Sequence, residues 1–220
     1  MLEESEIVYE VLQEKDLEQT INCLVDVFPS AEPISRALKL TPSEFYPFAE
    51  MVCQKAVAEG LSHIAKDSVT SEIAGFIISE SLSKESYEEI DQSIPQNFEV
   101  VFQFLRELNE QYEIKKKVVN SNIFHVFLLG AREQYRGRKI SNKLVEKNLK
   151  MAAQAGFSKA IVEASGKISQ HICRKYGFED RASLDYQTYE YKGVKVFEGI
   201  KEHESCILME KVFGVGEARV

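Results

Sequence analysis

The sequence predicts a mixed α/β fold, a central sheet flanked by helices. Two observations carry that prediction. The first is Ile123–Ala131, an apolar run interrupted by His125 and apolar on both alternating faces, as expected of a strand covered from both sides. The second is the segment directly after it. A short basic turn, 132–139, leads into Ile140, Leu144, Val145, Leu149 and Ala152 at helical spacing, and Gly156 stops the helix. A short strand (160–163), a helix (about 169–176) stopped by Gly177 and a strand from Phe178 continue the alternation. The 220 residues suffice for one domain with a sizeable core. No linker or shift of composition divides them, so a single domain over 1–220 is expected.

The N-terminal half reads in chain order. Residues 7–13 alternate weakly and predict a first strand. Asp16 is placed to cap a helix to about Val27, with Leu17, Ile21, Leu24, Val25 and Phe28 on one face. Pro33 suits a first helical position and restricts Glu32 to an extended backbone. Thr41-Pro42-Ser43-Glu44 is a capping-box signature. It opens a helix with Phe45, Phe48, Ala49, Val52 and Ala56 inward, stopped near Gly60. Residues 61–65 and 73–79 read as a hairpin across a polar turn, 66–71. Residues 80–92 are polar and predict a loop with some helix. After Pro95, Phe98, Val101, Phe102, Leu105, Leu108 and Tyr112 form a helical stripe, and 115–122 is a polar connection. Near the C-terminus, Phe197, a turn and then Cys206-Ile207-Leu208-Met209 suggest a last pair of strands. Gly130 inside its strand marks a bulge or a close backbone approach.

Composition excludes several functions. No run approaches the roughly 20 apolar residues of a membrane helix. The acidic start, MLEESEIVYE, lacks an apolar stretch of signal-peptide length. The four cysteines (Cys23, Cys53, Cys173, Cys206) form no CxxC pair, which predicts reduced thiols in a cytoplasmic protein and no metal site. The net charge of −8 argues against general nucleic-acid binding, but residues 132–150 carry +5 and the remainder −13. A basic helix start suits a polyphosphate, and an acidic remainder suits a cationic co-substrate. A solvated, lysine-bearing helix face is the other reading.

Free N–H groups and a partial positive charge make a helix N-terminus a natural phosphate seat. Gly137, without a Cβ, lets an anion approach the backbone. Gln134-x-x-Gly137-x-Lys139 resembles the acyl-CoA pyrophosphate loop of the GNAT superfamily of N-acyltransferases, with Lys139 where Gly or Ala is usual. The order of elements through Lys175-Tyr176-Gly177-Phe178 resembles the conserved half of that fold. More narrowly, the chain resembles the insect and nematode arylalkylamine N-acetyltransferase-like branch. Glu32-Pro33-Ile34 after Phe28, Ser165-x-x-x-Ser169 ahead of Gly177, and Tyr191-x-Gly193-x-x-Val196-Phe197 with His203 and Met209-Glu210-Lys211 carry that likeness.

The resemblance implies a GNAT acyl-CoA N-acyltransferase fold, acetyl-CoA as co-substrate with no metal, and a small primary amine as acceptor. Arylalkylamines such as dopamine, tyramine or serotonin come first. Polyamines or agmatine, a protein N-acetyltransferase, and a non-catalytic CoA-binding sensor are the rivals. The last is motivated by Lys139 and by Cys173, which stands where many members have a tyrosine. A monomer or weak homodimer is expected, with no nucleic acid or membrane partner. Gln134, Tyr135, Arg136, Gly137, Arg138 and Lys139, with Ile140 and Ser141 opening the helix, are expected to hold the pyrophosphate mainly through backbone N–H groups. An amide around Leu129 to Ala131 would meet the oxyanion. Glu32 would take the ammonium proton, or merely complement the next helix dipole, worth about 0.3–1 kcal/mol. Ser165 and Ser169 resemble serines that assist at the leaving thiolate, by positioning or water relay; Ser169 is equally a helix cap. Phe28, Phe45, Tyr46, Tyr186 and Tyr189 are candidates for an aromatic wall or simply for core. His125 reads as a satisfied core histidine.

Overall fold

The computed structural model describes residues 5–82, 98–113 and 122–214. Strands β1 (Ile7–Val11), β2 (His63–Asp67), β3 (Ile73–Leu82), β4 (Ile123–Ala131), β5 (Lys159–Ala164), β6 (Glu179–Asp185) and β7 (Ser205–Val212) form one sheet, ordered β1-β2-β3-β4-β5-β7-β6. Among the described residues only β4 and β5 pair in parallel; every other neighbouring pair is antiparallel. The helices are α1 (Leu17–Ala31), α2 (Pro33–Ala37), α3 (Pro42–Glu59), α4 (Glu99–Gln111), α5 (Ile140–Gln154) and α6 (Lys167–Lys175). This is the mixed sheet between helices that the sequence predicts.

Period-2 alternation splits the strand side chains between two cores. Phe76, Ile78 and Leu128 face α1 and α3 with Leu24, Phe45 and Phe48. Ile77, Phe124 and Val126 face α5 and α6 with Leu144, Val145 and Ile172. A third cluster packs α4 through Phe104 and Leu108 on Tyr186, Tyr189, Phe197 and Leu208. Phe104 is fully buried yet lies off the predicted stripe, because α4 sits between two cores. Its Phe98 end stacks on Phe48 at 4.7 Å, while Phe104 meets Tyr189 edge-on at 4.8 Å.

The feature that positions the site is the parting of β4 from β5. Their pairing runs from Ile123–Lys159 to Val126–Val162 and ends there, although β4 continues to Ala131 and β5 to Ala164. The cause sits on the other edge of β4. Ile78 pairs with Leu128 and Ser79 with Val126, so Phe127 is the extra residue of a bulge. The sequence offered a bulge or a close approach at Gly130. Gly130 is the close approach, since a Cβ there would stand 2.6 Å from Phe76 Cζ; the bulge lies earlier, at Phe127.

Several boundaries differ from expectation for definable reasons. Asp16 does not cap α1 with its side chain; its carboxylate pairs with Lys66 Nζ at 2.5 Å, a long-range partner. Helix α1 runs on through Pro29 to Ala31, where Ser30 Oγ donates to the carbonyls of Asp26 and Val27. The hairpin turn starts later than read, because Asp67 Oδ1 accepts the N–H groups of Val69 and Thr70 and so closes the turn after β2. Residues 80–82, expected as loop, extend β3; the rest of that expected loop (83–92), Pro95, and 115–121 lie outside the described residues. The last strand pair is β6 with β7, and Phe197 belongs to neither: it is fully buried among turns. The capping box at Thr41 and the left-handed Gly60 bound α3 as expected. Among the described residues no helix is long and apolar enough to cross a membrane.

Candidate active site

Where β4 and β5 part, a cavity of about 240 Å³ opens. Its wall joins Leu129, Gly130 and Ala131 of β4, Ser141 at the start of α5, Glu32 between α1 and α2, and Ser165, Ser169 and Cys173 around α6. The structure thus gathers Glu32, Leu129, Ala131, Ser141, Ser165 and Ser169 around one space. Successive strand amides point to opposite edges. Arg132 N–H donates toward β3, to Ala74 O. The amides of Leu129 and Ala131, odd steps away, therefore face the edge that β5 has left.

Glu32 is half-buried and is the N-cap of α2. Its Oε1 accepts Ile34 N–H at 3.1 Å and its Oε2 accepts Ser35 N–H at 2.6 Å. Glu32 is thus a side-chain cap of α2, a closer contact than the dipole complement read from the sequence. Each oxygen keeps a second lone pair, so the two amides fix the carboxylate without exhausting it. Ser169 is the third residue of α6, which begins at Lys167, earlier than read; its hydroxyl donates to Gly166 O at 2.8 Å and accepts Gly166 N–H at 3.3 Å. Ser165 is half-buried, and its carbonyl accepts Tyr186 O–H at 2.8 Å. Burial pushes the Cys173 thiol up to about 12, too weak an acid to protonate an ordinary thiolate. His203, also on the cavity wall, accepts Lys167 N–H at 3.2 Å through Nδ1.

The basic loop lies outside that wall and is built from backbone. Gly137 has φ +85° with nothing near a notional Cβ, and Lys139, the N-cap of α5, is itself left-handed at φ +57°. That explains why Gly suits the Lys139 position in related loops: a Cβ there is strained. Lys139 makes no side-chain cap, so the first amides of α5 point outward unmet by that residue. The loop's side chains mostly serve the protein. Gln134 and the buried Tyr135 both donate to Glu72 at 2.9 Å, Arg136 pairs with Glu133 at 2.8 Å, and Arg138 donates to Ser5 O. Ile140 is core.

A second, narrower cavity adjoins the first at Glu32, Phe28, Phe127 and Ser165. Phe45, Phe48, Phe98 and Phe102 complete its aromatic wall. Of the predicted aromatic residues, Phe28 and Phe45 belong there. Tyr46 is exposed, and Tyr186 and Tyr189 pack in the third core. Phe48, Phe98, Phe102 and Phe127 come from three separate elements, which no local pattern unites.

Beyond Phe127 lies a buried ionic network. His125 Nδ1 meets Glu80 Oε1 at 2.8 Å and Nε2 meets Glu163 Oε2 at 2.7 Å. Lys55 pairs with Glu80 at 2.6 Å, and Asn109 Nδ2 donates to Glu163 Oε1 at 2.8 Å. Burial alone would lower the imidazole pKa, but the carboxylates of Glu163 and Glu80 outweigh it and raise it to about 10. Burial likewise opposes ionised Glu80, yet His125 and Lys55 hold it down to about 2. His125 is a satisfied core histidine, as read, but a charged one; the polar residues interrupting two apolar strands were the available signal.

No protein-family model matches the chain. Among solved structures it is similar to arylalkylamine N-acetyltransferase 2 from Aedes aegypti, at 25% identity over 95% of this chain and 100% of that one, with a TM-score of 0.84. A mosquito arylalkylamine N-acetyltransferase like 5b matches at 20% identity over 94% and 100% of the two chains, TM-score 0.82. The Drosophila melanogaster polyamine N-acetyltransferase, which catalyses formation of N-acetylagmatine, matches at 18% identity over 94% and 100%, TM-score 0.80. In its seven-stranded mixed sheet flanked by helices, the chain has the GNAT fold that these structures share.

Proposed function

We propose that this protein transfers the acetyl group of acetyl-CoA to the primary amine of an arylalkylamine. The observation that supports it best is the single cavity whose wall joins the open edge of β4, the start of α5 and the capped Glu32, with an aromatic chamber opening from it beside Glu32. The residues fit acetyl-CoA. The backbone of 134–139 and the first amides of α5 would take the pyrophosphate, and the widening gap between β4 and β5 would take the pantetheine arm as an added strand would.

An alkylamine is protonated near pH 7 and must lose a proton before attack. Glu32, held by two amides at the mouth of the aromatic chamber, accepts that proton directly or through water. The nitrogen lone pair then forms the C–N bond, and the carbonyl oxygen gains charge beside the amides of Leu129 and Ala131. Collapse breaks the C–S bond. The thiolate takes one of the two protons left on nitrogen, with Ser165 positioning a relay, and the amide keeps the other. Cys173, whose thiol burial makes so weak an acid, is not the donor. The four cysteines are free and buried, which supports a reducing, cytoplasmic location.

A panel of amines with acetyl-CoA, read by free thiol release, tests the proposal. Turnover with arylalkylamines above that with putrescine, agmatine or peptide N-termini is expected. Turnover confined to peptides would replace the acceptor. Acetyl-CoA binding without turnover on any amine would leave a sensor.

A further inference from the structure

Phe127 stands on the wall of four neighbouring cavities. One is the large space where β4 and β5 part, and one is the aromatic chamber beside Glu32. A third lies against α4 and ends on Glu80, His125 and Asn109. The fourth, of about 140 Å³, lies between α3 and the sheet. Met51, Val52 and Ala56 of α3 and Ile78 of β3 give it aliphatic walls. Among the described residues, Phe127 is the one that lines both this deep cavity and the space between β4 and β5. Its ring meets Phe48 of the deep cavity edge-on at 6.0 Å and His125 of the third cavity at 5.4 Å. The ring is therefore the partition.

The backbone accounts for its position. Phe127 is the extra residue of the bulge, so β3 pairs with Leu128 and with Val126 but not with it, and pairing with β5 has already ended at Val126. The ring is half-buried, and the cavities on its flanks leave it without the contacts that hold a core ring on every side. The polar groups on the rim of the deep cavity are matched within the protein. Lys55 pairs with Glu80 at 2.6 Å, and Ser79 Oγ donates to Asn148 Oδ1 at 2.8 Å. What the cavity offers a ligand is apolar surface.

The direction of the co-substrate decides what reaches the partition. In the proposed arrangement the pyrophosphate lies at 134–139, past the end of β4, and the thioester carbonyl lies beside the amides of Leu129 and Ala131. The acyl chain then continues along the closing gap toward Val126 and Val162, where the strands rejoin, and Phe127 is the next residue of β4 but one after Leu129 in that direction. The amine arrives beside Glu32 instead, and neither Glu32 nor Ser165 lines the deep cavity.

We infer that Phe127 sets the length of the acyl group: its ring stops the transferred chain at acetyl, and the deep apolar cavity behind it holds a longer chain once the ring is removed. The inference rests on the acetyltransferase reading and concerns its donor, not its acceptor. Even one methylene too many in a closed apolar pocket is worth about 10–200-fold in discrimination.

The test measures thiol release from acetyl-, butyryl- and hexanoyl-CoA, with tyramine or whichever amine of the panel turns over fastest. In the wild type kcat/KM should fall by at least about tenfold from acetyl-CoA to hexanoyl-CoA. Phe127→Ala should bring the two within about threefold of each other. Adding Ala56→Leu, which fills the deep cavity, should restore the wild-type ratio. Phe127→Leu, a smaller change, should give an intermediate ratio and serves if Phe127→Ala fails to fold. A general loosening of the fold would alter kcat/KM for all three donors together and leave their ratio alone. Equal use of hexanoyl- and acetyl-CoA by the wild type overturns the inference, as does a ratio unmoved by both Phe127 variants. A changed preference between tyramine and tryptamine at a fixed acyl ratio also overturns it, and makes Phe127 a wall for the acceptor alone. Those results leave the acetyltransferase reading in place. No thiol release from any donor with any amine removes that reading, and the length limit falls with it.

Discussion

The two halves of the candidate site are made of different material. On the co-substrate side, from Leu129 to Ser141, the groups offered are main-chain amides, and the side chains of Gln134, Tyr135, Arg136 and Arg138 are tied to Glu72, Glu133 and Ser5. On the proposed acceptor side, around Glu32, the groups offered are side chains. Phenylalanines from several elements form the wall, and a buried ionic network lies beyond Phe127. A backbone-built site tolerates side-chain truncation and fails when φ is disturbed. A side-chain-built site has the opposite sensitivity. Variants of the two halves should therefore separate, one group altering co-substrate affinity and the other altering stability and acceptor choice.

The largest effect is expected on the acceptor side. His125→Ala leaves Glu80 and Glu163 buried without their shared partner, which should cost about 3–5 kcal/mol in urea unfolding. The imidazole has a folded pKa raised above its unfolded value of about 6.5. Its contribution is therefore fully present below that unfolded pKa and is lost as pH rises through the folded value of about 10. The gap in stability between wild type and His125→Ala should accordingly narrow between about pH 7 and pH 10. A gap that stays constant, or widens, would mean that the histidine is neutral and the network is held otherwise.

A smaller effect is expected on the co-substrate side. Gly137→Asp puts a Cβ at φ +85° and a negative charge where the pyrophosphate would lie. Acetyl-CoA affinity, measured by calorimetry on folded protein, should fall by at least about tenfold, or about 1.4 kcal/mol. Unchanged affinity would remove this loop from the site. The smallest effect belongs to Lys139→Gly. It relieves a left-handed residue and should raise stability by about 0.5–1 kcal/mol net of glycine's extra unfolded entropy. Acetyl-CoA affinity should stay within about threefold, under about 0.7 kcal/mol. A large loss would show that the Lys139 ammonium, not the backbone, does the holding.

The same contrast explains what could be read from the sequence. Features governed by near neighbours were legible: the Thr41 capping box, the stops at Gly60 and Gly156, the apolar β4 and the Gly137 turn before α5. The co-substrate half is of this kind, so its order of elements was visible. Features governed by distant partners were not. Asp16 looked like a cap because nothing nearby in sequence reveals Lys66. The Phe127 bulge depends on its register with β3, and Tyr186 and Tyr189 looked available for the pocket until Phe104 and Phe197 enclosed them. Glu32 stood out in the sequence only through the resemblance and the proline after it. That it caps α2 with both oxygens became plain only from the fold.

In the proposed reaction Glu32 joins the two halves, as the group that would take the amine proton beside the thioester. Glu32→Gln keeps the size of the side chain and an oxygen for one of the two capping amides, but it cannot accept that proton. Loss of a general base costs about 10²–10⁴ in rate. Measured with tyramine and acetyl-CoA, kcat and kcat/KM should fall together by that order while acetyl-CoA affinity holds. The deficit should shrink as pH rises, because more of the amine is then already neutral. A kcat near that of wild type across about pH 6 to 9 would contradict this role and leave Glu32 as a helix cap alone.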